Sequence, residues 1–537
     1  MKRLRRISST LPLSCALLYL SALAFAQPPG NKPIVVQEFR HDTSKPLRSP
    51  ETRRGESGAA QRNTNTAPSP SRCCSGHATF LDIAPSIRTA LASTTTGLQA
   101  ATVPAAKISV NMVASFDGIA SNGWAVPDTN GAAGATQFVE WVNARFAVYN
   151  KSGQRIYGPA AGTSLWAGFG GACQNNNGGD PIAQYDKLAD RWVMTQHATP
   201  SGPNYQCVAV SATSDATGSY HRYAFVMPSG LYPDYPKLAV WPDAYYLSVN
   251  LQDPKNNFTT VGALVCALNR NAMLNGSNAS SVCFQTGSAH TSLLPSDFDG
   301  TVLPPSGSPN YFLGLDSNSL DLWQFHVDFQ TPSNSSFTGP TKISVASFRK
   351  ACNGGVCIPQ LGVSQLLDSL GDRLMYRLAY RNFGDHESMV ITHSVNPPTG
   401  ASAGVRWYEI RDPGGVPTIH QQGTFSPDSV SRWMGSIAMD KAGNIAVGYS
   451  VSSGSINPGI RLTGRVPTDT LGTLEAEQSV IRGTGSQSGS NRWGDYSSMS
   501  VDPVDDCTFW YSNQYLKTTG SKNWSTRIYA FKFPACQ

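Results

Sequence analysis

Four short stretches set carboxylates, cations and aromatic rings just ahead of apolar runs. Asp180 stands before Ile182. Asp234, Tyr235 and Lys237 fall in Asp-Tyr-Pro-Lys. Arg432 and Trp433 precede a third run, and Arg492, Trp493, Asp495 and Tyr496 precede a fourth. Asp297, in Asp297-Phe-Asp-Gly300, reads as a fifth member of the set. Two chemistries fit these residue types. Two carboxylates about 5–10 Å apart suffice to hydrolyse a glycoside. Asp495 and Asp234 lead that assignment, with Asp180 and Asp297 in reserve. Arg432 and Arg492 would then clamp an anion or hydroxyl, and Tyr235 and Tyr496 would orient the substrate. Without catalysis, the same residues make a polar depression that binds a glycan or peptide. The structural alternative stays open for each of them. An aspartate at the head of a strand commonly accepts turn amides, and Trp and Tyr commonly pack between sheets.

Other stretches carry weaker chemistry. Asp128 and Asn130, two apart and followed by Gly131, could offer oxygens to Ca²⁺, but the same residues favour a plain turn. The missing distal Glu excludes an EF-hand loop. Trp166 and Phe169, in a long Gly/Asn loop, are candidate sugar-stacking platforms or packing residues. His386 between Asp385 and Glu387 could move a proton or lie in a solvated charged turn. No G-x-S-x-G elbow, HExxH or CxxC…CxxC pattern occurs. No cofactor is expected beyond the Ca²⁺ alternative.

These stretches need a scaffold that brings distant positions together. Arg492 to Tyr515 reads as strand, Asp/Pro turn, aromatic strand, which is a hairpin with an Asp-rich turn. Related hairpins turn near Lys187, Pro242, Ser317, Leu370 and Lys441, so the spacing is roughly 53 to 75 residues. Gln137 to Gly153 adds another. A lone hairpin cannot bury its apolar face, so repeats at this period stack or close radially. Four strands per repeat with closure defines an all-β fold, a seven-bladed β-propeller of four-stranded antiparallel blades. A strand near Lys107–Val113 is expected to close the ring on the last blade and remove an exposed edge. Ser214-Asp-Ala-Thr-Gly-Ser-Tyr220 resembles the Asp-box turn of sialidase-type propellers.

Composition sets the surroundings. Residues 1–26 are basic, then apolar, and end Ala-Phe-Ala26, as a signal peptide does. Residues 27–105 are rich in Pro, Ser, Thr and Arg and read as a disordered linker. The propeller domain then spans 106–537. The chain carries a net charge of +6, yet both early segments are basic and the remainder is slightly acidic. That argues against nucleic acid, which needs a concentrated basic face. No further stretch has transmembrane length. The reading is an exported, secreted protein, expected as a monomer with an extracellular glycan or protein ligand. Of 11 cysteines, Cys15 lies in the signal peptide. Proximity pairs Cys173 with Cys207, Cys266 with Cys283, Cys352 with Cys357 and Cys507 with Cys536. Cys73 and Cys74 are adjacent in the expected linker and have no assigned pairing.

Several phrases together resemble a group of exported, mostly bacterial proteins of undetermined activity. They are Pro-Asp-Thr-Asn-Gly (127–131), Gly-Asp-Pro with Tyr-Asp and Arg-Trp (179–192), and Asp-Tyr-Pro-Lys with Val-Trp-Pro-Asp (234–243). Gly-Asp-Arg-Leu-Met-Tyr-Arg (371–377) and Arg-Trp-Gly-Asp-Tyr-Ser (492–497) complete the set. The resemblance spans about Pro127 to Cys536 and implies a secreted propeller without implying a reaction. A sialidase-like activity would require an Arg-Ile-Pro near the first blade, which is absent. A third function class, a disulfide-stapled surface or matrix protein, is equally compatible with the fold.

Overall fold

The computed structural model describes residues 32–48, 108–121 and 123–537. The signal peptide expected at 1–26, Cys73–Cys74 and most of the expected linker lie outside the described residues.

The described chain is dominated by antiparallel sheets. One four-stranded sheet runs Thr129–Ala133, Gln137–Val142, Arg145–Asn150 and Arg155–Ala161. The next two are built the same way from Ile182–Asp186 to Tyr220–Val226 and from Tyr232–Val240 to Ser280–Gln285. An eight-stranded sheet joins two such halves through a parallel pairing of Leu294–Asp299 with Leu374–Asn382. Ser431–Met439 starts a further four-stranded sheet, and Ser498–Val501 starts the last. The first strands of these groups lie side by side in chain order, and Ser498–Val501 returns to Thr129–Ala133. Sheets radiating from a closed ring of first strands are the arrangement of a β-propeller.

The last sheet is completed by Asn111–Ala120, which pairs with Trp524–Lys532 near the other end of the chain. This closing strand begins a few residues later than the sequence suggested. It covers an edge that would otherwise present unpaired backbone groups. Closure is reinforced where the first and last sheets meet, as Phe138 stacks on Trp510 with centroids 5.3 Å apart. The apolar cores lie between neighbouring sheets. Most strands are therefore buried on both faces and read as continuous apolar runs. All four expected disulfides are present.

Two sequence expectations need correction. Lys32 to Arg48 is not linker. Ile34–Gln37 adds a fifth strand to one sheet and Arg40–Thr43 a fifth strand to its neighbour. The β-branched run Ile-Val-Val suits an edge strand, and Arg222 donates to both oxygens of Asp42 at 2.8 and 2.7 Å. The hairpin assigned around Leu370 is not a repeat. Val363–Asp368 pairs with Val356–Gln360 in an inserted two-stranded ribbon, while Leu374–Asn382 pairs onward with Glu387–Val395. The hairpins at Gln137 and Tyr311 are the second and third strands of their sheets. The Asp-box-like stretch does fold a turn: Asp215 accepts from the Thr217 amide at 2.9 Å and joins two outer strands.

Candidate functional site

The heads of the first strands share a local device. Between Asp234 and Lys237 the strand gains one residue over its partner, and so it does between Trp433 and Ser436. Such β-bulges break the ladder and re-aim side chains. The extra turn of backbone sits at Tyr235 (φ 53°) and Met434 (φ 52°). Bulky residues rarely adopt this left-handed region, at a cost of about 1–3 kcal/mol each. Asp128 (φ 45°) and Asp180 (φ 47°) take the same conformation just before their strands.

This geometry gathers side chains from separate sheets at one end of the ring. The Asp495 amide donates to Asp128 Oδ1 at 2.7 Å, and Asn143 donates to its Oδ2 at 2.9 Å. The Tyr235 amide donates to Asp180 Oδ2 at 3.2 Å. Gln252 donates to Asp234 Oδ2 at 2.9 Å, and Arg492 pairs with Asp495 Oδ1 at 2.6 Å. Lys237 lies 3.5 Å from the ring centre of Tyr235 and 4.1 Å from that of Tyr496. Arg373 covers Tyr235 at 4.7 Å. The close approach depends on Gly494: its amide donates to Gln514 Oε1 at 2.7 Å, and a Cβ there would stand 2.5 Å from that oxygen.

The result is a layered mouth. Asp180, Asp234, Asp495, Arg373 and Arg492 are partly exposed. Beneath them Tyr235, Lys237 and Tyr496 are 2%, 0% and 1% exposed. Asp180 Oδ1, Asp234 Oδ1 and Asp495 Oδ2 accept no hydrogen bond from any described residue. The buried Tyr235 hydroxyl is likewise without a partner among the described residues. Lys237 donates to the Pro236 carbonyl at 2.8 Å and makes no salt bridge with a described carboxylate.

Crowded carboxylates away from water shift one another. Burial, and then Asp234 and Asp495, push the Asp180 carboxyl up to about 7. Burial and Asp495 raise Asp234 as well. Burial, Asp495 and Asp180 raise Asp128 well above the usual carboxylate range. Burial pulls the Lys237 ammonium down to about 7 against the opposing attraction of Asp180, Asp495 and Asp128. Asp495, and then burial acting against it, leave Arg492 held above its ordinary value.

Several expected site residues lie elsewhere. Asp297 sits deeper along its strand, accepting from Gln184 at 2.8 Å and Arg377 at 3.0 Å. Arg377 also binds Asp299, which Lys187 holds at 2.8 Å. This buried ion network makes Asp297 a strut rather than a mouth residue. Arg432 is fully buried and grips Asp428 and Glu477, at 2.7 Å each. Trp433 and Trp493 are buried against each other at 5.5 Å, so their faces cannot receive a sugar. Tyr235 and Tyr496 cannot stack on a ligand either, because Lys237 occupies their faces. Trp166 and Phe169 are core residues, with Arg40 and Arg222 each 5.3 Å from the Phe169 ring. Asn130 lies in a strand and accepts from the Ala183 amide at 2.7 Å. Among the described residues no three His, Cys, Asp or Glu side chains are arranged to hold a metal. His386 is in an exposed loop beside Asp385 at 2.8 Å. Arg373 was missed as a site residue, although it stands inside one of the quoted phrases. Its signal is a lone Arg ahead of an apolar run, as in the other stretches.

No protein-family model matches the chain, and no curated protein matches it. Among solved structures it is similar to a protein of unknown function from Dyadobacter fermentans (TM-score 0.36, 10% identity, 66% of this chain and 94% of that one). It is also similar to an α-L-arabinofuranosidase from Fusarium graminearum (TM-score 0.34, 9% identity, 79% of this chain and 99% of that one). An exo-β-1,3-galactanase from Phanerochaete chrysosporium follows (TM-score 0.29, 13% identity, 78% of this chain and 97% of that one). Likeness at this level carries no functional argument.

Proposed function

We propose that the chain is an exported, seven-bladed propeller that binds a glycan at the mouth formed by the heads of its first strands. One observation carries the reading. Three partly exposed carboxylates from different sheets each keep an oxygen unclaimed, beside two arginines, above a fully buried floor. Carboxylate oxygens and guanidinium donors in one depression suit the paired hydroxyls of a sugar, which accept and donate at once. The buried aromatic floor offers no stacking face, so recognition rests on hydrogen bonds. Four disulfides support an oxidising compartment, in line with the signal-like start of the chain. The resemblance to exported propeller-like proteins points the same way.

The test is calorimetric titration with neutral trisaccharides (xylo-, arabino-, galacto-, cello- and chitotriose). At least one is expected to bind. Arg492→Met and Asp234→Asn are each expected to weaken it at least tenfold, about 1.4 kcal/mol or more. Full-strength binding in both variants would move the ligand site off the mouth.

A further inference from the structure

We infer that the mouth cleaves the glycan it holds, with Asp180 donating a proton to the leaving glycosidic oxygen and Asp495 taking a proton from the attacking water. The inference rests on the glycan reading above and adds a reaction to it.

The geometry brings two carboxyl groups with different surroundings to the same end of the ring, near enough for Asp495 to act on the charge of Asp180. Asp180 is crowded by other carboxylates and receives one backbone N–H, from Tyr235. Asp495 is ion-paired with Arg492 at 2.6 Å and its own amide is fixed on Asp128. Each presents one unclaimed oxygen. The Tyr235 hydroxyl is buried without a described partner, and burial first, then the charges of Asp495 and Asp180 against that of Arg373, raise its pKa. A carboxyl with no paired cation among the described residues, such as Asp180, beside one paired with an arginine, such as Asp495, stands in the kind of contrasting surroundings that separate an acid from a base. Asp180, pushed to about 7, keeps its proton in mildly acidic solution. Arg492 holds Asp495 in place to accept one.

The step balances with water alone. The bond between the anomeric carbon and the leaving oxygen breaks, and its electron pair goes to that oxygen. Asp180 supplies the proton that neutralises it. The water oxygen bonds to the anomeric carbon, and its proton passes to Asp495. Exchange with solvent then restores both carboxyls. Asp234, held by Gln252, stands near both carboxyls and is left to bind hydroxyls. Lys237 lies beneath the site and acts only as a positioning residue, through the Tyr235 ring.

The experiment uses the whole mature protein with the same five trisaccharides. Binding is read by calorimetry and cleavage by reducing-end release, for wild type, Asp180→Asn and Asp495→Asn. The expected result is cleavage by wild type and, at sugar concentrations that the calorimetry shows to be saturating for each protein, at least a hundredfold loss of rate in both variants. The wild-type rate should also fall as pH rises past about 7, where Asp180 loses its proton. That readout needs no variant and survives a variant that fails to fold. Binding without cleavage by the wild type overturns the inference and leaves the glycan reading intact. Cleavage that survives Asp180→Asn with an unchanged pH profile overturns the assignment. Neither binding nor cleavage of any trisaccharide refutes the glycan reading itself.

Discussion

Replacing Lys237 by methionine should make this protein more stable in acid and leave it unchanged in alkali. The ammonium group is fully buried between two tyrosine rings, and its one acceptor among the described residues is the Pro236 carbonyl. Its pKa falls from 10.5 to about 7 on folding. The sign follows from proton counts. Between about 7 and 10.5 the unfolded chain holds this proton and the folded chain does not. Stability therefore rises with pH across that window. Below pH 7 the whole cost is present, with a ceiling of about 5 kcal/mol. The cations at Arg373 and Arg492 remain, but Asp180 and Asp495 lose an attraction to Lys237, which offsets part of the gain. A net stabilisation of about 2 kcal/mol or more is expected near pH 6, since Met fills the same slot and packs well against aromatic rings. The assay is thermal unfolding of wild type and Lys237→Met at pH 6, 8 and 10. The melting-temperature advantage of the variant should be largest at pH 6 and vanish near pH 10. A variant less stable than wild type at pH 6, or a difference that ignores pH, would refute the reasoning.

Glu140 should behave in the opposite sense. It is fully buried, accepting from the Ile119 amide and Ser512 at 2.8 Å each, and burial pushes its carboxyl up to about 7. From pH 4.5 to 7 the folded chain keeps a proton that the unfolded chain loses, so stability falls by about 3 kcal/mol as pH rises through that range. Glu140→Gln should flatten that fall in a pH series of melting temperatures. Arg432→Met removes the cation shared by Asp428, which is half exposed, and Glu477, which keeps Arg461, and should cost about 1–3 kcal/mol while sparing trisaccharide binding. Denaturant unfolding beside calorimetry checks both halves of that statement. Replacing Cys507 and Cys536 with serine frees a loop with a sequence separation of 29. It should cost about 3–4 kcal/mol, read as a melting temperature below that of the oxidised wild type but above that of the wild type with all four disulfides reduced.

Much of the architecture was legible because turns announce themselves chemically. Asp186 caps its turn through the Leu188 and Ala189 amides, and Asp440 does so through Ala442 and Asn444. The cysteine pairs were legible because each spans only one or two strands of chain. Strand order within a repeat was not. Thr129–Ala133 is built of small and polar residues, yet it is a buried first strand, because the crowded axis leaves little room for large ones. The strap at Ile34–Thr43 is four apolar letters inside a polar stretch, and only the free edges of two sheets make it a pair of strands. At the mouth, the convergence of Asp180, Asp234, Asp495 and Arg492 was readable from their repeated position ahead of apolar runs. Which rings face solvent was not. Trp433, Trp493, Tyr235 and Tyr496 stand at the same kind of position, but burial between sheets is decided by neighbours hundreds of residues away. Arg432 shares the Arg-Trp pairing of Arg492 and points to Glu477 instead, because its own sheet supplies that partner.

The central claim is that the mouth is where a ligand sits. The most direct measurement is a crystal structure of the protein soaked with whichever trisaccharide binds it. The account predicts sugar density between Asp180, Asp234 and Asp495, with hydroxyls on their unclaimed oxygens and on Arg492. Sugar bound on another face, with the mouth holding only water, would contradict it.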